Sequence, residues 1–396
     1  MTWNDALPSV HVKSHSILAV PTVITTRAAV LEESGRPRPY RDSRPLTVGD
    51  LDLCPPGAGE VLVRVAAAGL CHSDLSVIDG SRPRPLPMVL GHEAAGVVVE
   101  VGPGVRGLRV DDHVICAFVP ACGGCAPCQS GRPALCEPGA AANTAGALLS
   151  GHRPFRRGGH DLHQHLGVSA FSEYTVVAAE SLVPVDRSVP LDRAALFGCA
   201  LLTGVGAVVN TARPRPGTAA VVFGLGGVGL AAVMGAHVAG CHPIVAVDPV
   251  RAKHPVARQA GATHTLDGGP DTAAAVRDLT GGGADVAIEA VGSAAVLAAA
   301  YAATRRGGTT VTVGLPDPRQ MLSIPAVSLV AEERTLRGSY LGGAVPRRDI
   351  PRYVALYQAG SLPADLLLGG RLRLDEINEG FDALAAATTA RQVVIL

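Results

Sequence analysis

The side chains best suited to chemistry are one histidine and two cysteines that lie far apart in the sequence. His92 stands in the stretch Gly-His-Glu-Ala-Ala-Gly between two short apolar runs, Cys71 opens Cys-His-Ser-Asp, and Cys199 ends a small-residue segment. Two thiolates and one imidazole suit a catalytic zinc, whose fourth position stays open for water or substrate. A lone histidine in such a place is more often a core residue, and spacing alone does not bring these three residues together.

Four further cysteines form a compact motif. The spacing Cys-Gly-Gly-Cys-Ala-Pro-Cys, followed by one more cysteine, allows all four side chains to surround one tetrahedral zinc. Because protein fills every position, this zinc would be structural. Four unrelated reduced cysteines in a loop are the weaker alternative. The four residues are Cys122, Cys125, Cys128 and Cys136.

A glycine-rich loop predicts a dinucleotide site. Gly224, Gly226 and Gly229 form G-x-G-x-x-G between a strand-like and a helix-like run, and Asp248 ends the next strand-like run. These glycines allow a tight turn, close approach of the pyrophosphate and close packing of helix on strand. The acidic residue would bind the adenosine ribose and repel a 2'-phosphate, which favours NAD. The positive charge of Arg251 nearby leaves NADP open as the alternative cofactor.

Composition excludes several classes of function. The chain has 396 residues, 47% hydrophobic, 17% charged and 3% aromatic, with a formal net charge of +0. This favours a globular protein of two domains and speaks against nucleic-acid or membrane partners. Proline and histidine break the apolar run 219–247, so we expect no membrane span there. Nine cysteines, four of them with metal-ligand spacing, favour a reducing, cytoplasmic location.

The pattern of elements divides the chain. Residues 1–26 show no clear element and residues 32–44 look like surface. Short β-branched runs at 61–68, 97–101 and 113–116 predict an irregular, mostly antiparallel β domain. From residue 201, strands predicted at 219–224, 243–247, 263–266, 284–290 and 309–314 alternate with helices at about 229–240, 252–260, 271–279 and 293–304, which predicts a doubly wound parallel sheet. A helix at 350–359 and a strand at 392–396 are assigned back to the first domain.

The order of these motifs resembles the zinc-dependent medium-chain alcohol dehydrogenases over nearly all of residues 26–396. The resemblance implies a GroES-like β-rich catalytic domain, residues 1–200 and 341–396, around a Rossmann domain, residues 201–340, with zinc and NAD meeting between them. Residues 163–177 resemble the long-loop branch of the animal, plant and glutathione-linked enzymes. That branch implies a homodimer that pairs through the Rossmann sheets.

Site residues follow from the same resemblance. Cys71, His92 and Cys199 match the catalytic zinc ligands, Glu93 matches a glutamate that approaches the metal, and Asp74 matches the carboxylate that orients the ligand histidine. The remaining matches are Ser73 as the hydroxyl that takes the substrate proton, Phe118 in the substrate pocket, Thr203 at the nicotinamide, His72 and Arg391 at the pyrophosphate, Lys253 at the ribose, and Gly227, Val228 and Val313 among the cofactor contacts. Without the resemblance, Ser73, Thr203 and Phe118 would be a turn hydroxyl, a helix-start hydroxyl and a core aromatic.

Two positions depart from the family pattern. Ser76 stands where many members have a histidine that ends the proton relay, so the final proton step would pass through water or another group. Ala140 stands where glutathione-linked formaldehyde dehydrogenases have an arginine that binds the carboxylate of the adduct. Its identity argues against that substrate.

The sequence thus predicts an enzyme with two zinc ions per chain that transfers a hydride between a small alcohol, primary and aliphatic or aromatic, and NAD. Two alternatives remain open at this point. One is a dehydrogenase of a thiol-formaldehyde adduct or a polyol. The other is a non-catalytic scaffold that binds NAD and zinc, which would have no need for an incomplete coordination sphere beside a dinucleotide site.

Overall fold

The computed structural model describes residues 22–387 and 389–396, in which nineteen strands form three sheets. The strands are β1 (Ile24–Leu31), β2 (Leu46–Leu53), β3 (Glu60–Gly69), β4 (Met88–Val89), β5 (Glu93–Val101), β6 (His113–Cys116), β7 (Phe155–Arg157), β8 (His160–Asp161), β9 (His163–Gln164), β10 (Tyr174–Ala178), β11 (Leu182–Pro184), β12 (Ala220–Phe223), β13 (Ile244–Val247), β14 (His264–Leu266), β15 (Ala284–Glu289), β16 (Thr304–Thr312), β17 (Thr335–Gly338), β18 (Leu368–Arg373) and β19 (Arg391–Ile395).

The α-helices connect and cover these sheets. They are α1 (Tyr40–Ser43), α2 (His72–Ile78), α3 (Ala126–Gln129), α4 (Glu137–Ala145), α5 (Leu191–Ala194), α6 (Ala200–Gly206), α7 (Gly227–Val238), α8 (His254–Gln259), α9 (Thr272–Thr280), α10 (Ala294–Ala303), α11 (Ala326–Ala331), α12 (Pro346–Gln358) and α13 (Ile377–Ala385). Short 3₁₀ turns occupy Pro133–Leu135, Ala179–Ser181, Ala195–Phe197, Arg251–Lys253, Tyr340–Gly343, Ala364–Leu367 and Leu374–Glu376, and a π-helical stretch occupies Ala207–Ala212.

Two sheets make the β-rich part of the chain. One has the order β8-β7-β2-β1-β4-β9, and the other has the order β11-β6-β5-β3-β19-β18 with β10 also paired to β3. Most of the pairs are antiparallel, as predicted. Strand β3 is buried over nearly its whole length because β5, β10 and β19 all pair with it. The C-terminal strand therefore joins the first part of the chain, also as predicted.

The third sheet is parallel throughout, in the order β14-β13-β12-β15-β16-β17. Every residue of β12 and β13 is buried, which is expected of central parallel strands that helices cover on both faces. Helix α7 follows β12 and is largely buried as well. The predicted fold class, a Rossmann sheet beside a GroES-like β-rich part, is confirmed.

Local predictions had mixed outcomes. Residues 32–44 are exposed or half-buried, as predicted, with the exception of Tyr40, which is only 1% exposed because α1 packs against α13 and the backbone N–H of Tyr40 donates to Asp382. Residues 1–26 were predicted to have no element, but β1 begins at Ile24; residues 1–21 lie outside the described part. Strand β16 begins at Thr304 rather than 309, because two glycines hid its first residues, and β17 was not predicted.

Within the described residues, no single helix is long and apolar enough to cross a membrane. One bent pair, Leu191–Phe197 and Ala200–Ala212, meets the criteria of length and composition with a bend of 43°.

The packing of α7 against the end of β12 predicts that two glycines of the same loop differ in how well they tolerate a side chain. A Cβ at position 229 would lie 1.7 Å from the carbonyl oxygen of Gly224, whereas a Cβ at Gly226 would meet nothing within 4 Å. Gly229→Ala should therefore lower the free energy of unfolding by about 1–3 kcal/mol or more, the usual cost of overpacking. Gly226→Ala should stay near the wild type. Chemical denaturation without cofactor measures both, and equal stabilities would contradict the packing argument.

Candidate active site

Three side chains from separate elements meet in a buried cluster. Cys71 is the residue before α2, His92 directly precedes β5, and Cys199 is the residue before α6. All three are buried, and their ligand atoms lie within 4.8 Å of one another. The structure thus brings together the three residues that the sequence alone could not connect.

The donor set fits a zinc ion. The Nε2 atom of His92 is buried and has no hydrogen-bond partner among the residues that the structure describes, which leaves it free to bind a metal. A hydrogen bond from Cys199 and the nearby Arg391 and His92 lower the pKa of Cys71 well below its usual value, although burial opposes this. The site therefore stabilises a thiolate beside an imidazole nitrogen, and both are zinc ligands.

A buried carboxylate holds this cluster in place. Asp74 accepts hydrogen bonds from the backbone N–H groups of Gly91, at 3.0 Å, and Cys71, at 3.2 Å. Its Oδ1 atom also lies 3.2 Å from Nδ1 of His92 and 3.0 Å from Nδ1 of His165. Burial raises the pKa of Asp74, but the two histidines outweigh burial and lower it to about 2. The carboxylate therefore stays charged and turns Nε2 of His92 towards the cysteines.

His165 was not predicted to take part in the site. It is 2% exposed, and its ring packs edge-on against that of His92 with a centroid separation of 5.4 Å. It lies inside the segment 163–177, which resembles the long-loop branch of the family. Nothing in its spacing distinguishes it from an ordinary buried histidine.

Glu93 and Arg391 form a second buried pair beside the cluster. Their side chains are 0% and 3% exposed, and Oε2 of Glu93 lies 3.3 Å from Nη2 of Arg391. Arg391 also donates to the carbonyl oxygen of Leu70 at 2.7 Å. Burial raises the pKa of Glu93 to about 7, although Arg391 opposes the rise. The structure gives Glu93 an arginine partner, which the sequence did not predict.

A cleft of about 430 Å³ adjoins the cluster and is lined by most residues predicted to bind the cofactor. Thr203 does not line it, since it lies 8% exposed on α6, and neither does Gly229, which packs against Gly224. The predicted residues that line the cleft are Cys71, His72, Ser73, Gly224, Gly226, Gly227, Val228, Asp248, Lys253, Val313 and Arg391.

Local contacts fix the acidic residue at the end of β13. Asp248 accepts hydrogen bonds from the N–H groups of Leu225 at 2.8 Å and Val250 at 2.9 Å. Lys253 lies 3.2 Å from the same carboxylate. Arg251 turns away and pairs with Asp267 through its Nε at 2.9 Å. Arg251, whose positive charge kept NADP a possible cofactor, therefore already has an acidic partner.

Two aromatic side chains follow one another away from the His92 ring. Phe118 packs edge-on against the His92 ring at 5.4 Å between centroids and against Tyr340 at 5.9 Å. The first of these contacts fits the predicted place of Phe118 in a substrate pocket. Tyr340 was missed, because it follows β17 and that strand was not predicted.

The two departures from the family pattern have simple surroundings. The hydroxyl of Ser76 donates to the carbonyl oxygen of Ser73 at 2.9 Å, within α2. Ala140 is exposed on α4. Neither residue acquires a contact with the buried cluster.

The four-cysteine lobe forms a second candidate metal site. Its four sulfur atoms lie within 4.8 Å of one another. Backbone N–H groups of Cys122 and Gly139 donate to the sulfur of Cys136 at 3.3 and 3.4 Å, and that of Cys125 donates to Cys122 at 3.4 Å. Burial raises the pKa of Cys136, and the two N–H contacts oppose that rise. Four converging sulfur atoms fit a zinc ion whose positions are all filled by protein.

Comparison with known proteins agrees with this geometry. The family model for the alcohol dehydrogenase GroES-like domain matches residues 57–187, and the model for zinc-binding dehydrogenases matches residues 227–359. The chain is 39% identical over 374 residues to the NDMA-dependent alcohol dehydrogenase of Amycolatopsis methanolica, with 93% of this chain and 98% of that one covered.

Solved structures give the same result. An alcohol dehydrogenase zinc-binding domain protein from Burkholderia ambifaria superimposes with a TM-score of 0.89 and 36% identity, covering 95% of this chain and 100% of the other. Benzyl alcohol dehydrogenase from Acinetobacter calcoaceticus gives a TM-score of 0.88 at 32% identity, covering 94% of this chain and 99% of the other.

Fold and site together define a zinc-binding dehydrogenase that uses a nicotinamide cofactor. The chain belongs to the zinc-dependent medium-chain alcohol dehydrogenase family. The comparisons do not favour the scaffold, polyol or thiol-adduct alternatives. Membership of the long-loop branch stays a prediction.

The two candidate metal sites predict the zinc content of variants with a single substitution. The wild-type chain should contain two zinc ions, and Cys71→Ser and Cys125→Ser should each lose one, since each removes a ligand from a different cluster. Cys54→Ser is the matched control, because Cys54 belongs to neither cluster. Mass spectrometry of the purified proteins gives the zinc content, and a Cys71→Ser protein with unchanged zinc would contradict the cluster assignment.

The contacts of Asp74 predict a large effect from a change of one atom. Asp74→Asn removes the charge that orients His92 and should weaken zinc binding by about 10- to 100-fold, as loss of a hydrogen-bond partner of a metal ligand does. Asp50→Asn alters an exposed carboxylate on β2 and serves as the control. Competition with a zinc chelator measures the affinity. A loss no greater than that of the control would show that Asp74 does not support the ligand.

Proposed function

We propose that this chain catalyses the reversible oxidation of a primary alcohol, aliphatic or aromatic, with NAD as the hydride acceptor. One observation carries the proposal: Cys71 belongs to the buried metal cluster and also lines the cofactor cleft. A metal at the cluster would therefore lie at the wall of the cleft. When bound, zinc supplies a Lewis acid for the reacting oxygen, and the nicotinamide supplies the hydride acceptor.

The residues around the cluster have separate roles in this proposal. Cys71, His92 and Cys199 hold zinc, and Asp74 fixes the orientation of the histidine. Ser73 lines the cleft beside Cys71, so its hydroxyl would take the proton of the alcohol. Because the Ser76 hydroxyl already donates to a backbone carbonyl, we propose that the proton then leaves through water.

The cofactor roles rest on the lining of the cleft. We propose that the N-terminus of α7 and Arg391 bind the pyrophosphate. The two lie side by side, since a Cβ added to Gly227 would lie 3.0 Å from Nε of Arg391. Asp248 would bind the ribose, with Lys253 beside it. A 2'-phosphate would meet this carboxylate, and Arg251 is paired with Asp267, so NAD is favoured over NADP.

The domain division, assembly and location are proposals of the same kind. Residues 1–200 and 341–396 would form the catalytic domain and residues 201–340 the dinucleotide domain, since strands β12 to β17 make one sheet and β18 and β19 join the other. Strand β17 is an edge strand with exposed residues, which supports a homodimer paired through it. Nine free cysteines support a cytoplasmic location.

An alcohol panel tests the activity. Short aliphatic, long aliphatic, aromatic and secondary alcohols are assayed with NAD and with NADP, and reduced nicotinamide is followed by absorbance. We expect turnover with NAD and a loss of about a thousandfold or more in Cys71→Ala, since the Lewis acid contributes several kcal/mol. Cys54→Ala is the control. NADH binding by Cys71→Ala shows that the cofactor cleft is intact, and normal turnover by this variant would reject the proposal.

A further inference from the structure

A second cavity, of about 800 Å³, shares a wall with the cofactor cleft and has a basic lining. It is walled by the cysteine lobe near Ser130, the end of the π-helical stretch near Asn210, the ends of β16 and β17, and the start of α12. Among the described residues that line it there are four arginines and no aspartate or glutamate. The four arginines are Arg132, Arg213, Arg337 and Arg348.

Three of these arginines are exposed and form no ion pair with any described residue. Arg348 forms two hydrogen bonds with buried Asp349, at 2.7 and 2.8 Å. By contrast, within the described part of the chain Arg213 and Arg337 donate only to backbone carbonyl oxygens, at 2.7 and 2.8 Å, and Arg132 has no ion pair. A cavity with three unpaired guanidinium groups attracts anionic oxygens, because each guanidinium can bind a carboxylate through two parallel N–H donors.

The cavity adjoins the proposed reaction site across a shared wall. Residues 313–315 line both this cavity and the cofactor cleft. Tyr340 lines the cavity and packs on Phe118, which in turn packs on His92. A substrate with its reacting carbon beside His92 could therefore extend past the two aromatic rings and place its far end among the arginines.

We propose that the substrate is an alcohol or aldehyde whose far end carries an anionic group, a carboxylate or phosphate, and that Arg132, Arg213 and Arg337 bind that group. This inference rests on the proposed dehydrogenase function and specifies its substrate class. It differs from recognition by an arginine at position 140, which is alanine here. The group must be separated from the reacting carbon, since two aromatic residues lie between His92 and the cavity.

Matched pairs of substrates test the proposal. Each ω-hydroxy acid is compared with the unbranched alcohol of the same chain length, and 4-(hydroxymethyl)benzoate and its phosphate-bearing counterpart are compared with benzyl alcohol. The wild-type enzyme should give a ratio of kcat/KM, acid to neutral, of about ten or more for the longer members. The ratio should fall with ionic strength, because salt screens exposed arginines. Equal kcat/KM values throughout would overturn the proposal.

Variants assign the effect to the cavity. Arg337→Gln and Arg132→Gln should each lower the acid-to-neutral ratio about tenfold, whereas Arg337→Lys should retain part of it. Arg215→Gln is the matched control, since Arg215 is exposed near Arg213 but does not line the cavity. Equal losses for acid and neutral substrates in Arg337→Gln would indicate a structural role and contradict the proposal.

Two further measurements separate the possible failures. Calorimetry of the longest ω-hydroxy acid binding to the enzyme with NADH reports the anion site without turnover. Binding that depends on Arg337 in an enzyme that oxidises no alcohol would support the anion site and reject the proposed function. Sedimentation gives the mass of each variant. Loss of the assembly in the arginine variants, with an unchanged acid-to-neutral ratio, would mean that the cavity is an interface between copies of the chain and would overturn the inference.

Discussion

The carboxylate of Asp74 is the interaction on which the rest of the site depends. One buried side chain fixes the backbone at Cys71 and Gly91 and also contacts the imidazole of His92. A buried charge is costly unless it is fully hydrogen-bonded, and here backbone donors and two histidines meet that need. Because the same carboxylate touches the start of α2 and the turn before β5, it sets the position of two candidate metal ligands at once. The third, Cys199, is placed separately by the start of α6.

The end of the chain completes this arrangement. Strand β19 pairs with β3, which carries the Arg391 guanidinium to the carbonyl oxygen of Leu70 and to the carboxylate of Glu93. Four groups in and beside the cluster become negative when they ionise: the thiols of Cys71 and Cys199 and the carboxyl groups of Asp74 and Glu93. A single buried arginine offsets part of that charge and also lies against Gly227 in the cofactor cleft. The C-terminal strand therefore links the metal cluster to the dinucleotide loop.

Part of the fold and part of the candidate site could be predicted from local sequence patterns. The cysteine spacing and the glycine loop are encoded within a few residues of sequence, and the alternation after residue 201 reflects the burial of parallel strands. The convergence of Cys71, His92 and Cys199 came only from the family resemblance, because no local pattern relates them. His165 beside Asp74 and Arg391 beside Glu93 were not predicted, since strand pairing between distant segments creates those contacts. The arginine cavity was missed for the same reason, as four separate segments build it.

The position of residues 313–315 connects cofactor and substrate recognition. This turn follows β16 and lines both the cofactor cleft and the arginine cavity, so a ligand in either space touches the same backbone. The carboxyl ends of parallel strands are where ligands bind in open α/β sheets, and β17 brings Arg337 to this edge beside it. A substrate held at its far end by arginines has fewer orientations at the metal cluster than one held only by apolar contacts. In this chain, charge at the edge of the dinucleotide sheet would therefore position the reacting carbon as well as select the substrate.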